Sequence, residues 1–403
     1  MRACFLGLGY IGLPTAIIAA SHGIEVAGTD INTRIVDETN AGRLHIVEPD
    51  LNQLLVDVVR SGMLHAYNAP VLSDAYFIVV PTPFLPDTHK PDISFVENAT
   101  RSVIPLLKEG DLFVIESTSP VGTTESMSEI VFTERPELKG KIYIAYCPER
   151  VLPGNILHEL INNDRVIGGI DAASTEKAKE FYSVFVKGQL HSTDCRTAEM
   201  CKLTENASRD AQIAFANELS IVCAKAGIDV RELISLANKH PRVNILQPGC
   251  GVGGHCIAVD PYFIISSYPE ETAFMRQARE TNIHKTEWCI NQILSAYYDI
   301  AAESGKKPTV ALMGLAFKPN IDDLRESPAV TIAKTLLSKL GQDSVLVSEP
   351  NLSSHDTFVL TSYKEAYEKS DLVVFLVNHR EFASLVSTRS DVRVLDFCGV
   401  TKA

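Results

Sequence analysis

The run Ala3-Cys4-Phe5-Leu6-Gly7-Leu8-Gly9-Tyr10-Ile11-Gly12 decides the fold of this chain. A short apolar strand runs straight into three glycines, and Ala16, Ile17, Ala19 and Ala20 follow as the body of a helix. In such a strand-turn-helix the first glycine makes the tight turn and the second clears space for a pyrophosphate. The third lets helix and strand pack closely, with phosphate held at the helix N-terminus. Asp30 closes the next apolar run, eighteen residues after Gly12, where a carboxylate would accept both hydroxyls of an adenine ribose. A 2′-phosphate would meet that negative charge, so the pattern favours NAD over NADP, with Arg34 a nearby cation. The candidate cofactor residues are Gly7, Gly9, Tyr10, Ile11, Gly12, Asp30 and Arg34. Thr82 and Thr118 join them, because Val80-Pro81-Thr82-Pro83 and Ser117-Thr118-Ser119-Pro120 leave later strands at the carboxyl edge where ligands of open α/β sheets lie.

Outward from that motif, short apolar runs recur at Glu25 to Gly28, Tyr76 to Val80, Leu112 to Ile115, Tyr143 to Ala145 and Arg165 to Ile170. Helical patterns separate several of them, the signature of a doubly wound parallel sheet. From Asp194 the character changes to long helices, Arg196 to Ala226 ending at Gly227, Asp229 to Lys239, and Glu270 to Ala302. A second alternating set begins at Thr309 to Gly314 and continues at Ser344 to Val347, Asp371 to Val377 and Val392 to Phe397. The expectation is α/β: two Rossmann-like doubly wound domains, residues 1–190 and 303–403, joined by a helical middle domain at 191–302.

A chain of 403 residues suits such a multidomain plan. Its net charge of −13 argues against a nucleic-acid or anionic-membrane surface and fits a small anionic ligand better than a polyanion. Nine cysteines without a CxxC pair or metal-ligand spacing suit reduced thiols and no structural metal. With no long apolar run, a cytoplasmic protein is expected.

The chemistry concentrates at Gly249-Cys250-Gly251-Val252-Gly253-Gly254-His255-Cys256-Ile257-Ala258-Val259-Asp260. Four glycines in six residues would let backbone approach a ligand, and Cys256 then offers a thiol able to trap an aldehyde. Cys250 reads as a packed small side chain, and His255 as a loop-packing residue. Lys202, Asn206 and Arg209, at i, i+4 and i+7 of the first long helix, present three donors on one face, equally readable as a solvated stripe. Glu149-Arg150 after Cys147-Pro148, and His240-Pro241-Arg242 before the cysteine loop, add further polar groups.

Taken together, Gly7 to Gly12, Glu116 to Gly122, Tyr146 to Gly154, Lys202 to Asn206, Gly253 to Asp260 and Gly314 to Arg325 resemble the nucleotide-sugar 6-dehydrogenase family, in its order and over nearly the whole chain. Three further runs, His45 to Asp50, Arg196 to Lys202 and His240 to Pro248, resemble its branch acting on UDP-N-acetyl-D-mannosamine. The residues Ile257-Ala258-Val259-Asp260 depart from the Phe-Pro-Lys-Asp-like sequence usual in UDP-glucose enzymes, which also points to an N-acetylated sugar.

The resemblance implies a four-electron, NAD-dependent oxidation through a thiohemiacetal and a thioester. Cys256 would be the nucleophile and Lys202 and Asn206 donors to the developing oxyanion, with Asp260 and Glu149 handling the hydrolytic water. It places Arg150, Val151, Arg209, His240, Arg242 and Gly253 at the UDP-sugar, with Phe317, Lys318 and Arg325 reaching it from the last domain. Some of these contacts, His240 and Arg242 among them, would cross between the subunits of a homodimer. The same chemistry on UDP-N-acetylglucosamine or UDP-N-acetylgalactosamine is an alternative, as is a two-electron β-hydroxyacid-type dehydrogenase.

Overall fold

The structure, a computed structural model, describes residues 1–401 apart from 47, 49, 50, 86, 87, 89, 152, 153, 386–388 and 390. Val47, Pro49 and Asp50 of one motif run, and Leu152 and Pro153 of another, lie outside the described residues. The chain divides into two compact units, Met1–Glu205 and Asn206–Ala403.

The first unit runs β1 (Arg2–Leu6), α1 (Gly12–Ser21), β2 (Glu25–Thr29), α2 (Thr33–Asn40), α3 (Leu51–Arg60), β3 (Leu64–Tyr67), β4 (Ala75–Ile78), α4 (Ser94–Val103), β5 (Leu112–Ile115) and α5 (Thr123–Glu134). It continues with β6 (Tyr143–Tyr146), α6 (Ile156–Asn162), β7 (Arg165–Gly169), α7 (Ala172–Tyr182) and β8 (Leu190–Asp194). The strand order is β3-β2-β1-β4-β5-β6-β7-β8, so the dinucleotide-binding order is present with two strands added at its far edge. Those two correct the expectation of a wholly parallel sheet, because β6 and β7 pair antiparallel through Ala145↔Gly169 and Tyr146↔Gly168. Alternate residues of each strand feed different cores: Ala3, Phe5 and Phe77 pack on one face, Cys4, Leu6 and Tyr76 on the other. Burial on both faces explains why these strands read as unbroken apolar runs.

The division into units falls inside α8 (Cys195–Ala226), which ends at Gly227 in the left-handed region, φ 70°. The second unit continues with α9 (Val230–Ala237), α10 (Asp260–Ser267), α11 (Ala273–Ser304), β9 (Val310–Met313), α12 (Pro328–Leu340), β10 (Val345–Ser348), α13 (Tyr363–Lys369), β11 (Leu372–Phe375) and β12 (Arg393–Asp396). Its sheet is parallel in the order β10-β9-β11-β12. That order repeats β2-β1-β4-β5 of the first sheet. Among the described residues no helix is long and apolar enough to cross a membrane.

Candidate active site

The three glycines after β1 do different work. A Cβ on Gly7, at φ 100°, would lie 2.3 Å from the Val79 carbonyl oxygen, and one on Gly12 would lie 1.9 Å from that of Gly7. Both positions are closed by the protein's own backbone. A Cβ on Gly9 would meet nothing within 4 Å, so this is the side from which a pyrophosphate can approach. Tyr10 is 39% exposed beside it, and Ile11 stands at the N-cap of α1. Asp30 follows β2 with Oδ2 accepting the Leu8 amide at 3.0 Å and Oδ1 that of Asn32 at 2.9 Å, which fixes the carboxylate at the glycine turn. Arg34 pairs with Glu38 at 2.9 Å. Thr82 and Thr118 are partly buried beyond the ends of β4 and β5. The two strand ends are tied together by Ser117, whose Oγ donates to the Val80 carbonyl at 2.8 Å. An open second glycine, a fixed ribose carboxylate and partly exposed hydroxyls fit NAD.

Where β5 and β6 end, Glu149 belongs to a buried polar cluster whose other charged members, Glu116 and Arg165, sequence reasoning missed. Glu149 accepts from Arg165 at 2.9 Å and from the Arg150 amide at 2.6 Å, so both its oxygens are engaged. Arg165 also lies 4.9 Å from the centre of the Tyr182 ring, and Tyr182 donates to Glu116 at 2.5 Å. Burial raises the Glu116 carboxyl to about 7, with Glu149 adding to the rise and Arg165 opposing it. Burial likewise pushes the Cys147 thiol up to about 12, against the pull of Arg165. Arg150 turns its guanidinium to Glu205 at 2.6 Å, and Val151 packs against the first core. The available signal was charge inside apolar strand patterns: Glu116 directly follows β5, and Arg165 opens β7.

Helix α8 carries Lys202 and Asn206 one turn apart. Lys202 is 9% exposed, whereas Arg209 is exposed. One turn before Lys202, the fully buried Glu199 accepts from the Gly122 amide at 2.6 Å and from the Thr124 amide at 2.7 Å and hydroxyl at 2.6 Å. An internal carboxylate thus caps α5 and fixes how α8 enters the fold.

In the second unit the cysteine loop is anchored along its length. Asn217 accepts the Gly249 amide at 2.9 Å, Thr286 donates to the Cys250 carbonyl at 2.8 Å, and the Gly254 amide donates to the Arg325 carbonyl at 2.9 Å. Asn217 donates in turn to Asn282, which with Arg279 binds the buried Asp210. The glycines correct the sequence expectation about their purpose. A Cβ on Gly251 would fall 2.5 Å from Thr286 Oγ1, one on Gly253 2.7 Å from the Glu326 carbonyl oxygen and the Phe317 Cβ, and one on Gly254 2.9 Å from the Phe317 ring. Their missing side chains admit protein rather than ligand. His255 is a second correction, being exposed rather than packed. Cys250 is packed, 6% exposed among Cys289, Ile290 and Ile293.

Cys256 is partly exposed, on a turn closed by hydrogen bonds from the Val259 and Asp260 amides to its carbonyl, at 3.0 and 2.8 Å. Asp260, 3% exposed, opens α10 and accepts from Asn206 Nδ2 at 2.5 Å. The structure therefore brings Cys256, Asp260 and Asn206 together. It also brings Gly253 and Gly254 against Phe317, with Arg325 held by Asp323 at 2.6 Å. Lys318, His240 and Arg242 are exposed.

Profiles of the UDP-glucose/GDP-mannose dehydrogenase family match in succession: its NAD binding domain over residues 1–186, its central domain over 196–284 and its UDP binding domain over 311–403. The chain belongs to this family. It is an NAD-dependent nucleotide-sugar dehydrogenase. It is 51% identical over 393 residues to a UDP-N-acetyl-D-mannosamine dehydrogenase of Escherichia coli (strain K12), covering 94% of this chain and 93% of the relative. It is 50% identical over 403 residues to an NDP-N-acetyl-D-galactosaminuronic acid dehydrogenase of Ralstonia nicotianae, covering 97% and 93%. The solved UDP-D-ManNAc dehydrogenase of Pyrococcus horikoshii superposes with a TM-score of 0.89 at 37% identity, covering 100% of this chain and 96% of that one. The profile of the NAD binding domain covers the glycine turn after β1.

Proposed function

We propose that the enzyme oxidises UDP-N-acetyl-D-mannosamine to UDP-N-acetyl-D-mannosaminuronate, with Cys256 as the covalent nucleophile. The observation that carries this reading is the turn shared by Cys256 and Asp260, with Asn206 fixed beside it. The sequence Ile257-Ala258-Val259 after the cysteine and the identity to the E. coli relative support the N-acetylated sugar.

NAD, when bound, accepts one hydride in each of two oxidations, so alcohol, two NAD⁺ and water become carboxylate, two NADH and three protons. Cys256 thiolate adds to the aldehyde carbon to give a thiohemiacetal. Loss of hydride from that carbon leaves a thioester, and water cleaves the C–S bond, its oxygen entering the carboxylate and the thiolate returning. Asn206, oriented by Asp260, donates to the oxyanion at each tetrahedral stage, and Lys202 one turn earlier supplies positive charge and exchanges the alcohol proton. Of the two carboxylates expected to handle water, Asp260 stands on the cysteine's own turn, whereas Glu149 is held by Arg165 and acts by fixing the Arg150 backbone. Arg150, Val151, Arg209, His240, Arg242, Gly253, Phe317, Lys318 and Arg325 hold the UDP-sugar.

The work divides among residues 1–190 for NAD, 191–302 for the cysteine loop and subunit pairing, and 303–403 for UDP. Pairing as a homodimer is supported by large apolar side chains exposed on the long helices, Phe215 and Val222 of α8 and Phe274 and Ile283 of α11. The test is a panel of UDP-sugars assayed for NADH formation. The N-acetylmannosamine compound should give the highest kcat/KM; a preference for the N-acetylgalactosamine compound would replace this substrate with that one.

A further inference from the structure

The second α/β sheet repeats the glycine turn of the first in detail, and the histidine that stands in that repeat where the first has a threonine has a use. Gly7 at φ 100° donates its amide to the Thr29 carbonyl at 2.8 Å, and Gly314 at φ 97° donates to that of Ser348 at 2.8 Å. The Leu8 amide meets Asp30 and the Leu315 amide meets Glu349, at 3.0 and 2.7 Å. Even the asparagine two residues past each acid, Asn32 or Asn351, donates its amide to the carboxylate, at 2.9 and 3.0 Å. Strand pairing aligns Leu6 with Ile78 and Met313 with Phe375. Four residues beyond the latter of each pair stand Thr82 and His379.

In the first frame the acid is partly exposed and can take a ribose. In the second, Glu349 and His379 are both fully buried side chains joined at 3.0 Å through Nε2. The backbone N–H of Asn320 donates to the other ring nitrogen, Nδ1, at 3.0 Å. A backbone N–H can only donate, so Nδ1 carries a lone pair and the ring is the neutral Nε2–H tautomer. Asn320 is held at φ 61°, its side chain accepts from the Arg380 amide at 3.0 Å, and it sits in the loop that presents Phe317, Lys318 and Arg325.

We propose that His379 is a positioning residue for the nucleotide-sugar loop 317–325: it converts what would be a ribose-reading acid into an internal anchor, and passes that anchor to Asn320. The frame that reads NAD in the first unit thereby holds the UDP-sugar loop in the second. The inference rests on the proposed contact of Lys318 and Arg325 with UDP.

The experiment is calorimetric titration of UDP and, separately, NAD into full-length wild type, His379→Ala, His379→Asn and Lys318→Ala, with steady-state kinetics on each. Asparagine carries its carbonyl oxygen where imidazole carries Nδ1, so it can still accept from Asn320. His379→Ala should weaken UDP and raise KM for the UDP-sugar by about tenfold, as for one lost buried hydrogen bond. NAD affinity and kcat should stay within about twofold, and His379→Asn should recover most of the loss. Unchanged UDP affinity in His379→Ala while Lys318→Ala weakens it overturns the inference alone. Unchanged affinity in Lys318→Ala overturns the loop's role in UDP binding, and the inference with it. Parallel losses of UDP and NAD in both His379 variants would show a merely structural residue. Should the alanine variant not fold, ¹⁵N spectra of histidine-labelled wild type decide: an Nε2–H ring is expected for His379, and a doubly protonated ring overturns the proposal.

Discussion

Asn206 reaches Asp260 with its amide nitrogen, and in the proposed mechanism this pair serves Cys256. Asp260→Ala should leave the Asn206 amide without its acceptor and lower kcat by about a hundredfold, the scale of a lost oxyanion donor, with KM for the UDP-sugar within about threefold. Equal effects on both constants in steady-state kinetics would move Asp260 to substrate binding. Cys256→Ser should stall overall turnover while NAD titrates as in wild type; full activity would remove the covalent step. Glu349 makes a pH prediction. Burial pushes its carboxyl up, but donation from the His379 ring and from the Leu315 and Asn351 amides outweighs this and holds it below the ordinary 4.5. A folded-state value below the unfolded one gives stability that is present above about 4.5 and lost as pH falls through the folded value. Urea unfolding between about pH 6 and pH 3 should show wild type losing stability more steeply than Glu349→Gln; parallel losses would deny Glu349 this part.

At the scale of elements, the turn after β1 separates fold from cofactor binding. Gly7→Ala puts a Cβ into the Val79 carbonyl at a left-handed position and should cost roughly 2–4 kcal/mol. Gly9→Ala meets no protein atom, so its melting temperature should match wild type while NAD affinity falls; an unchanged affinity would move the pyrophosphate elsewhere. That turn was legible in sequence because its chemistry is local, and so were β1, β2, β4 to β7 and β9 to β11, whose apolar runs are mostly buried, and β12, which is apolar in part though exposed or half-buried. The strands β3 and β8 were not. Leu64–Tyr67 is a four-residue edge strand and Leu190–Asp194 is mostly exposed, so neither shows a buried run, and the antiparallel β6–β7 pairing is decided between segments rather than within them. In the cysteine loop, the shared turn of Cys256 and Asp260 was readable from their spacing of four residues. The partners that anchor the loop, Asn217, Thr286 and Asn282, come from helices far along the chain and carry no local signal.

At the scale of the whole molecule, the proposal distributes the chemistry over two subunits. His240 and Arg242 are exposed on the single chain, and if they serve the partner's substrate, inactive subunits should complement. Mixing Cys256→Ser with Arg242→Ala chains under conditions that exchange subunits should restore up to about a quarter of wild-type activity, because one of the two sites in a mixed dimer has neither defect. No recovery, with exchange confirmed by mass, would confine each site to one chain. In the proposed account, the repeat of one nucleotide frame, open at Asp30 and closed at Glu349, gives the molecule one place for NAD and another for UDP. Two ligands with such places, and a thiol to retain the aldehyde, make a four-electron oxidation the central claim. Its most direct test is the NADH released by purified enzyme when limiting UDP-N-acetyl-D-mannosamine is consumed to completion in excess NAD. Two NADH per sugar, with the uronate as product, is the expected result; one NADH per sugar with free aldehyde would contradict it.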